Sequence, residues 1–180
     1  MTWTAIAYNL GKRVKPIWES NVLNFMQSTT ELSVPEIDNP LLVMDMGGVL
    51  RNRPDPFPLP SNPDKIYVDF GLIWGEDIID LIMSDRGKVI LPLRKLQGFE
   101  ELDSALAYAD DITIGIDWSQ TVEAEHPDFS IDIVKLLQQL HSRGQTDILI
   151  YSLTGECPYI PAGTALNLDI KLALLLKMVD

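Results

Sequence analysis

The sequence predicts an α/β domain, a three-layer sandwich with a mainly parallel sheet, Rossmann-like or flavodoxin-like. Three observations lead there. Short continuous apolar runs recur along the 180 residues. Amphipathic stretches with helical period separate most of them. Polar and ionisable residues collect just after the runs. Apolar runs without polar alternation suit strands buried on both faces, and their alternation with helices suits a parallel sheet. The length and a hydrophobic fraction of 46% fit one domain, residues 1–180, with a substantial core.

Taken in order, "TWTAIAY" (2–8) reads as a strand. "PIWESNVLNFMQS" (16–28) reads as a helix, with Pro16 in its first turn and Ile17, Val22, Phe25 and Met26 facing inward. "PLLVMDM" (40–46) is a buried strand broken by Gly47 and Gly48. A proline-rich loop follows at 51–64, and fixed φ angles and missing donors make it an extended surface segment, either a connector or a flap. "KIYVDF" (65–70) is a strand, and "EDIIDLIMSDR" (76–86) a helix stopped by Gly87. "KVILPL" (88–93) is a strand. "FEELDSALAYA" (99–109) is a helix with Phe99, Leu102, Leu106 and Ala109 on one face. "DITIGID" (111–117) is a strand. "IDIVKLLQQLHSR" (131–143) is a helix capped by Ser130, with Ile133, Leu136, Leu137 and Leu140 as its stripe and Gly144 as its end. "DILIYSL" (147–153) is a strand.

The last segment, 165–179, carries two patterns. Strict alternation from Leu166 to Leu172 signals a strand, while Leu168, Leu172, Leu175, Leu176 and Val179 would share one helical face. Leucine, alanine and lysine propensity favours the helix. So many leucines call for cover, from the core or from a second copy in a homodimer.

Composition narrows the function. A formal charge of −12 argues against gripping nucleic acid or an anionic membrane. The single cysteine, Cys157, excludes an internal disulfide and a cysteine-rich zinc site. With no signal-peptide pattern and no transmembrane-length apolar run, the expected location is cytoplasmic.

The candidate site follows from the strand ends. In a parallel sheet, ligands bind beyond the carboxyl ends of the strands. Those ends present Asp45, Asp69, Asp117 and Ser152, with Arg94 and Lys95 just past strand 88–93. Carboxylates with hydroxyl oxygens could hold Mg²⁺, and Arg94, Lys95 and Ser152 could receive a substrate phosphate. The D-x-S-x-T of Asp117, Ser119 and Thr121 is the most compact such arrangement. Asp117, Ser119, Thr121 and Asp69 are the candidate metal ligands. A polar strand terminus is the competing reading of the same residues.

"TIGIDWSQTV", then helix 131–143 and "DILIYSLTG", resembles the opening of haloacid dehalogenase-like phosphohydrolases. The resemblance implies Asp117 as nucleophile, Thr121 as the first-motif threonine, Ser152 as the phosphate-binding hydroxyl, and Mg²⁺ as cofactor. Ser119 stands where that family carries a second aspartate. "LLVMDMGGVL" resembles the D-x-G-G-V-L variant of the same motif and implies Asp45 as nucleophile. D-x-S-x-T also resembles the metal-adhesion motif of von Willebrand A-type domains, which implies a cation completed by a partner's carboxylate. Two functions are therefore expected. One is a Mg²⁺-assisted phosphoryl hydrolase or transferase. The other is a catalytically silent interaction or regulatory domain, with a small molecule or a protein as partner.

Overall fold

In the computed structural model the described residues are 4–19, 22–31, 40–54, 63–84, 87–109, 111–152, 155–161 and 168–174. The apolar runs become strands of one sheet: β1 (Thr4–Asn9), β2 (Lys12–Glu19), β3 (Val22–Glu31), β4 (Leu41–Asp45), β5 (Ile66–Asp69), β6 (Lys88–Pro92), β7 (Thr113–Trp118), β8 (Asp147–Ser152) and β9 (Asp169–Leu174). The sheet is nine-stranded, mostly parallel, and strongly curled into a half-barrel. Its order is β3-β2-β1-β4-β5-β6-β7-β8-β9. β1, β2 and β3 pair antiparallel, and from β1 through β4 to β9 every neighbour is parallel. Among the described residues the α-helices are α1 (Met46–Arg51), α2 (Ile78–Met83), α3 (Phe99–Leu106) and α4 (Ile133–Ser142).

Each central strand is buried along its length, which is why it carries apolar residues at consecutive positions. Alternate residues feed two separate apolar clusters. One joins Leu41, Val43, Ile66, Val68, Leu91, Ile114 and Ile148 to the buried faces of α2, α3 and α4. The other joins Leu42, Met44, Tyr67, Ile90, Leu149 and Tyr151 to Met46 and Val49 of α1. Among the described residues no helix is long and apolar enough to cross a membrane.

Two expected elements are different. The helix expected at 16–28 is replaced by β2 and β3, which pair with Pro16 opposite Phe25 and Trp18 opposite Leu23. The stretch is rich in β-branched and aromatic residues, and the preceding Leu10–Gly11 turn, both at positive φ, folds β2 back on β1. β1 pairs with β2 only as far as Val14, so Pro16 owes it no donor. The helix expected at 165–179 is strand β9 over Asp169–Leu174, with 175–179 outside the described residues. Here strict alternation outweighs propensity. Pairing with β8 supplies every residue from Asp169 to Leu174 with a partner, and Lys171 meets Asp147 across it and Asp169 on its own strand. The proline-rich loop lies mostly outside the described residues, at 55–62. The cap of α4 is Asp132 rather than Ser130. Its carboxylate accepts from the amides of Val134 at 3.0 Å and Lys135 at 3.1 Å.

α1 presses on the turn after β5. A methyl group on Gly48 would stand 2.1 Å from the Phe70 carbonyl oxygen, and one on Gly71 2.2 Å from Val49 Cα. Gly48→Ala should therefore cost about 1–3 kcal/mol in urea unfolding, because backbone rather than a movable side chain blocks the methyl. An unchanged midpoint would show that α1 is free to shift.

Candidate functional site

Parallel pairing and strand parity bring three ionisable groups together. Asp69 ends β5 two residues after Tyr67, and Asp117 follows Gly115 by two in β7, so both face the side of the second cluster. β6 stops at Pro92, and Leu93 still donates to the Gly115 carbonyl, which carries Arg94 to the level of Asp117. Asp117 is itself in register with Tyr151 of β8.

Arg94 binds Asp117 in two-pronged fashion, Nε to Oδ2 at 2.5 Å and Nη2 to Oδ1 at 2.9 Å. Its remaining Nη1 lies 2.8 Å from Asp69 Oδ2. Asp69 Oδ1 accepts from the Gly71 amide at 2.9 Å. The guanidinium also lies 5.3 Å from the centre of the Tyr151 ring. Gly115 makes room for that ring, since a methyl there would meet Tyr151 Cε2 at 2.8 Å. Asp69, Arg94, Asp117 and Tyr151 are 0%, 4%, 2% and 0% exposed.

One cation faces two carboxylates, so the ionised cluster carries a net −1 away from water. Burial works against the Arg94 charge, but Asp117 and Asp69 more than offset it, and its pKa stands well above the ordinary value. Burial pushes the Asp117 carboxyl up. Arg94 pulls it down but is shared with Asp69, whose own charge adds to the rise. Burial and then the Asp69 charge raise the Tyr151 phenol well above its usual range, so it stays neutral.

The other candidates have other partners. Asp45 caps α1, its Oδ1 accepting from the amides of Gly47 at 2.8 Å and Gly48 at 3.1 Å. Ser119 and Thr121 both donate to Glu123 Oε1, and the Glu123 amide donates to the Asp117 carbonyl at 2.9 Å. Within D-x-S-x-T, then, the Asp117 carboxylate and these hydroxyls have different partners. The buried Ser152 hydroxyl donates to the Glu156 carbonyl at 2.7 Å, and the Lys95 ammonium to the Val49 carbonyl at 2.7 Å. As arranged, these groups do not suit Mg²⁺. A guanidinium occupies the Asp117 oxygens a metal would use, and no group of three or more His, Cys, Asp or Glu among the described residues could hold one.

No protein-family model matches the chain, and no curated protein is detectably similar to it. The site therefore rests on its own geometry. Two participants are absent from the candidates read in the sequence. Tyr151 sits inside an apolar run and passes for core, although its position two residues after Leu149 assigns its face. Glu123 lies past the motif, and only the turn makes it the acceptor of both hydroxyls.

Arg94→Met should lower stability by about 3–5 kcal/mol in urea unfolding, because it strands two buried carboxylates. Arg94→Lys should recover only part of this, having no two-pronged face. A loss under ~1 kcal/mol would mean that the cluster relaxes into water.

The Asp117 pKa is above its unfolded value of 3.8 in the folded chain, so the native state takes up that proton first. Its contribution to stability therefore falls as pH rises from 3.8 through the raised folded value. Asp117→Asn should remove this downward component from a plot of unfolding free energy against pH. Parallel curves for the two proteins across that window would refute the shift.

Proposed function

We propose that the chain is a catalytically silent interaction or regulatory domain, with the Asp69–Arg94–Asp117 cluster as an internal clamp. One observation carries this reading: Arg94 occupies both carboxylate oxygens of Asp117. A nucleophilic aspartate needs a free oxygen aimed at phosphorus, and general acid–base work needs a proton path. With Asp45 engaged at the start of α1, neither aspartate given the nucleophile's part by resemblance is poised for attack.

The surface supports the same reading. α2 exposes Ile79, Ile82 and Met83 at helical spacings of three and four, and exposed Trp74 precedes them. Glu76 and Asp80 are exposed beside them. An apolar stripe with an acidic rim fits a protein partner that presents apolar residues among basic ones. The layering belongs to this proposal too. Strands β4 to β9 advance in one direction without the reversal of doubly wound sheets, and right-handed crossovers of that kind stack on one face. We infer α2, α3 and α4 on one side and α1 on the other. The single exposed, unpaired Cys157 is compatible with a cytoplasmic setting.

The second reading, a phosphoryl hydrolase or transferase with Asp117 as nucleophile, draws on the gathering of Asp69, Arg94 and Asp117 at the carboxyl ends of parallel strands. It requires Arg94 to leave Asp117 and turn to a substrate phosphate.

Hydrolysis of p-nitrophenyl phosphate with Mg²⁺ separates the two, beside calorimetric titration of Mg²⁺ alone. The proposal expects background turnover and no Mg²⁺ heat, both unchanged in Asp117→Asn. Turnover above background that disappears in the variant would establish the second reading.

A further inference from the structure

Beyond the clamp, the chain has a cavity of about 350 Å³ between the turn that follows β7 and the start of α4. That volume is near the small end of ligand sites, the size for a single ring rather than an extended chain. The turn is held by the Trp118–Val122 bridge and by the Ser119 amide donating to the Thr121 carbonyl. Half-buried Trp118 and exposed Thr121 line the cavity from this turn. The opposite wall presents Ser130, Ile131 and Asp132.

The chemistry of these walls selects the ligand. None of the lining residues is basic, so a phosphate or carboxylate finds no counter-charge. The only charged one is Asp132, and its Oδ1 is committed to two amides at the start of α4, where the positive end of the helix faces it. The local field is thus largely cancelled, and a cation gains little. The remaining polar groups are neutral: the Ser130 hydroxyl and the Gln120 amide can donate and accept, and the Thr121 hydroxyl, whose proton goes to Glu123, can still accept. The side chains of Gln120 and Ser130 have no hydrogen-bond partner among the described residues. Trp118 adds one flat apolar face.

We propose that this cavity binds a neutral, hydroxyl-bearing ring with the chemistry of a monosaccharide. One face of the ring stacks on Trp118, and its hydroxyls exchange hydrogen bonds with Thr121, Ser130 and Gln120. The proposal is independent of the clamp and of any partner on α2.

The test follows the Trp118 indole N–H by NMR during titration of the whole chain with glucose, galactose, mannose and N-acetylglucosamine, each alone. Choline chloride and inorganic phosphate serve as cationic and anionic probes. The expected result is a saturable shift with at least one sugar, with Kd on the order of 1 mM. Trp118→Ala should abolish sugar binding, read by saturation transfer to the sugar. Trp118→Phe should keep part of it. Thr121→Val, a near-isosteric change at an exposed position, should weaken it roughly tenfold, about 1.4 kcal/mol. No shift with any of the four sugars overturns the proposal, as does tighter binding of choline or phosphate. Sugar binding that survives Trp118→Ala in a protein with unchanged urea unfolding also overturns it.

Discussion

The buried Arg94 guanidinium sets the terms for the centre of the molecule. Three strands that are distant in sequence contribute to its surroundings. Asp69 comes from β5, Asp117 from β7, and Arg94 from the loop after β6 that lies between them. A charge this far from water is tolerable only when partners satisfy it from several directions, and here two carboxylates and an aromatic face do so. Each partner depends on something more local. Asp69 is held by the Gly71 amide, Asp117 by the β7–β8 register, and Tyr151 by the space that Gly115 leaves. α1 is tied to the same region by Lys95, the residue after Arg94, through the Val49 carbonyl. Such a cluster contributes little net stability compared with an apolar core. What it supplies is selectivity, because a shift of β6 by one residue would turn Arg94 to the other face and leave both acids buried without their cation.

That constraint also decides what the strand-end residues can do. Carboxyl ends of parallel strands are where α/β sheets carry ligands, and this sheet does gather ionisable groups there. Their commitment to one another separates them from a working centre. Asp117 gives both oxygens to one guanidinium, and Asp45 serves the start of a helix. The hydroxyls of Ser119 and Thr121 serve Glu123. The cluster is held by charge as well as by hydrogen bonds, since Asp69 Oδ2, Arg94 Nη1 and the Tyr151 hydroxyl are buried without a hydrogen-bond partner among the described residues.

Much of the parallel sheet was legible in the sequence, and for a physical reason. β4 to β8 are buried on both faces, so their apolar runs are continuous and bounded by breakers such as Gly47 and Gly87. The stripe of α4 was legible for the same reason, since its four inward residues fall at helical spacing. The misreadings came where local preference and long-range pairing disagree. Residues 16–28 contain a plausible helical stripe, yet a hairpin with β1 gives them a better use. The leucines near the C-terminus favour a helix locally, but the edge of β8 was available for pairing. At the site, spacing in sequence suggested that Asp117, Ser119 and Thr121 act together. The end of β7 turns too sharply for that, with Gln120 at a φ of 112°. The pairing of Arg94 with Asp117 depends on strand parity and register, which no local motif encodes.

From β4 to β9 each parallel strand lies beside the strand that precedes it in the chain. A nascent polypeptide emerging from the ribosome can therefore add each new strand to the last without waiting for a distant segment. Charge accumulates in the same order. When β6 and the loop after it have docked, Asp69 and Arg94 form a neutral pair. Arrival of β7 brings the second acid and at the same time the helical layer that follows it. The unfavourable half of the cluster thus enters last, on a platform already built.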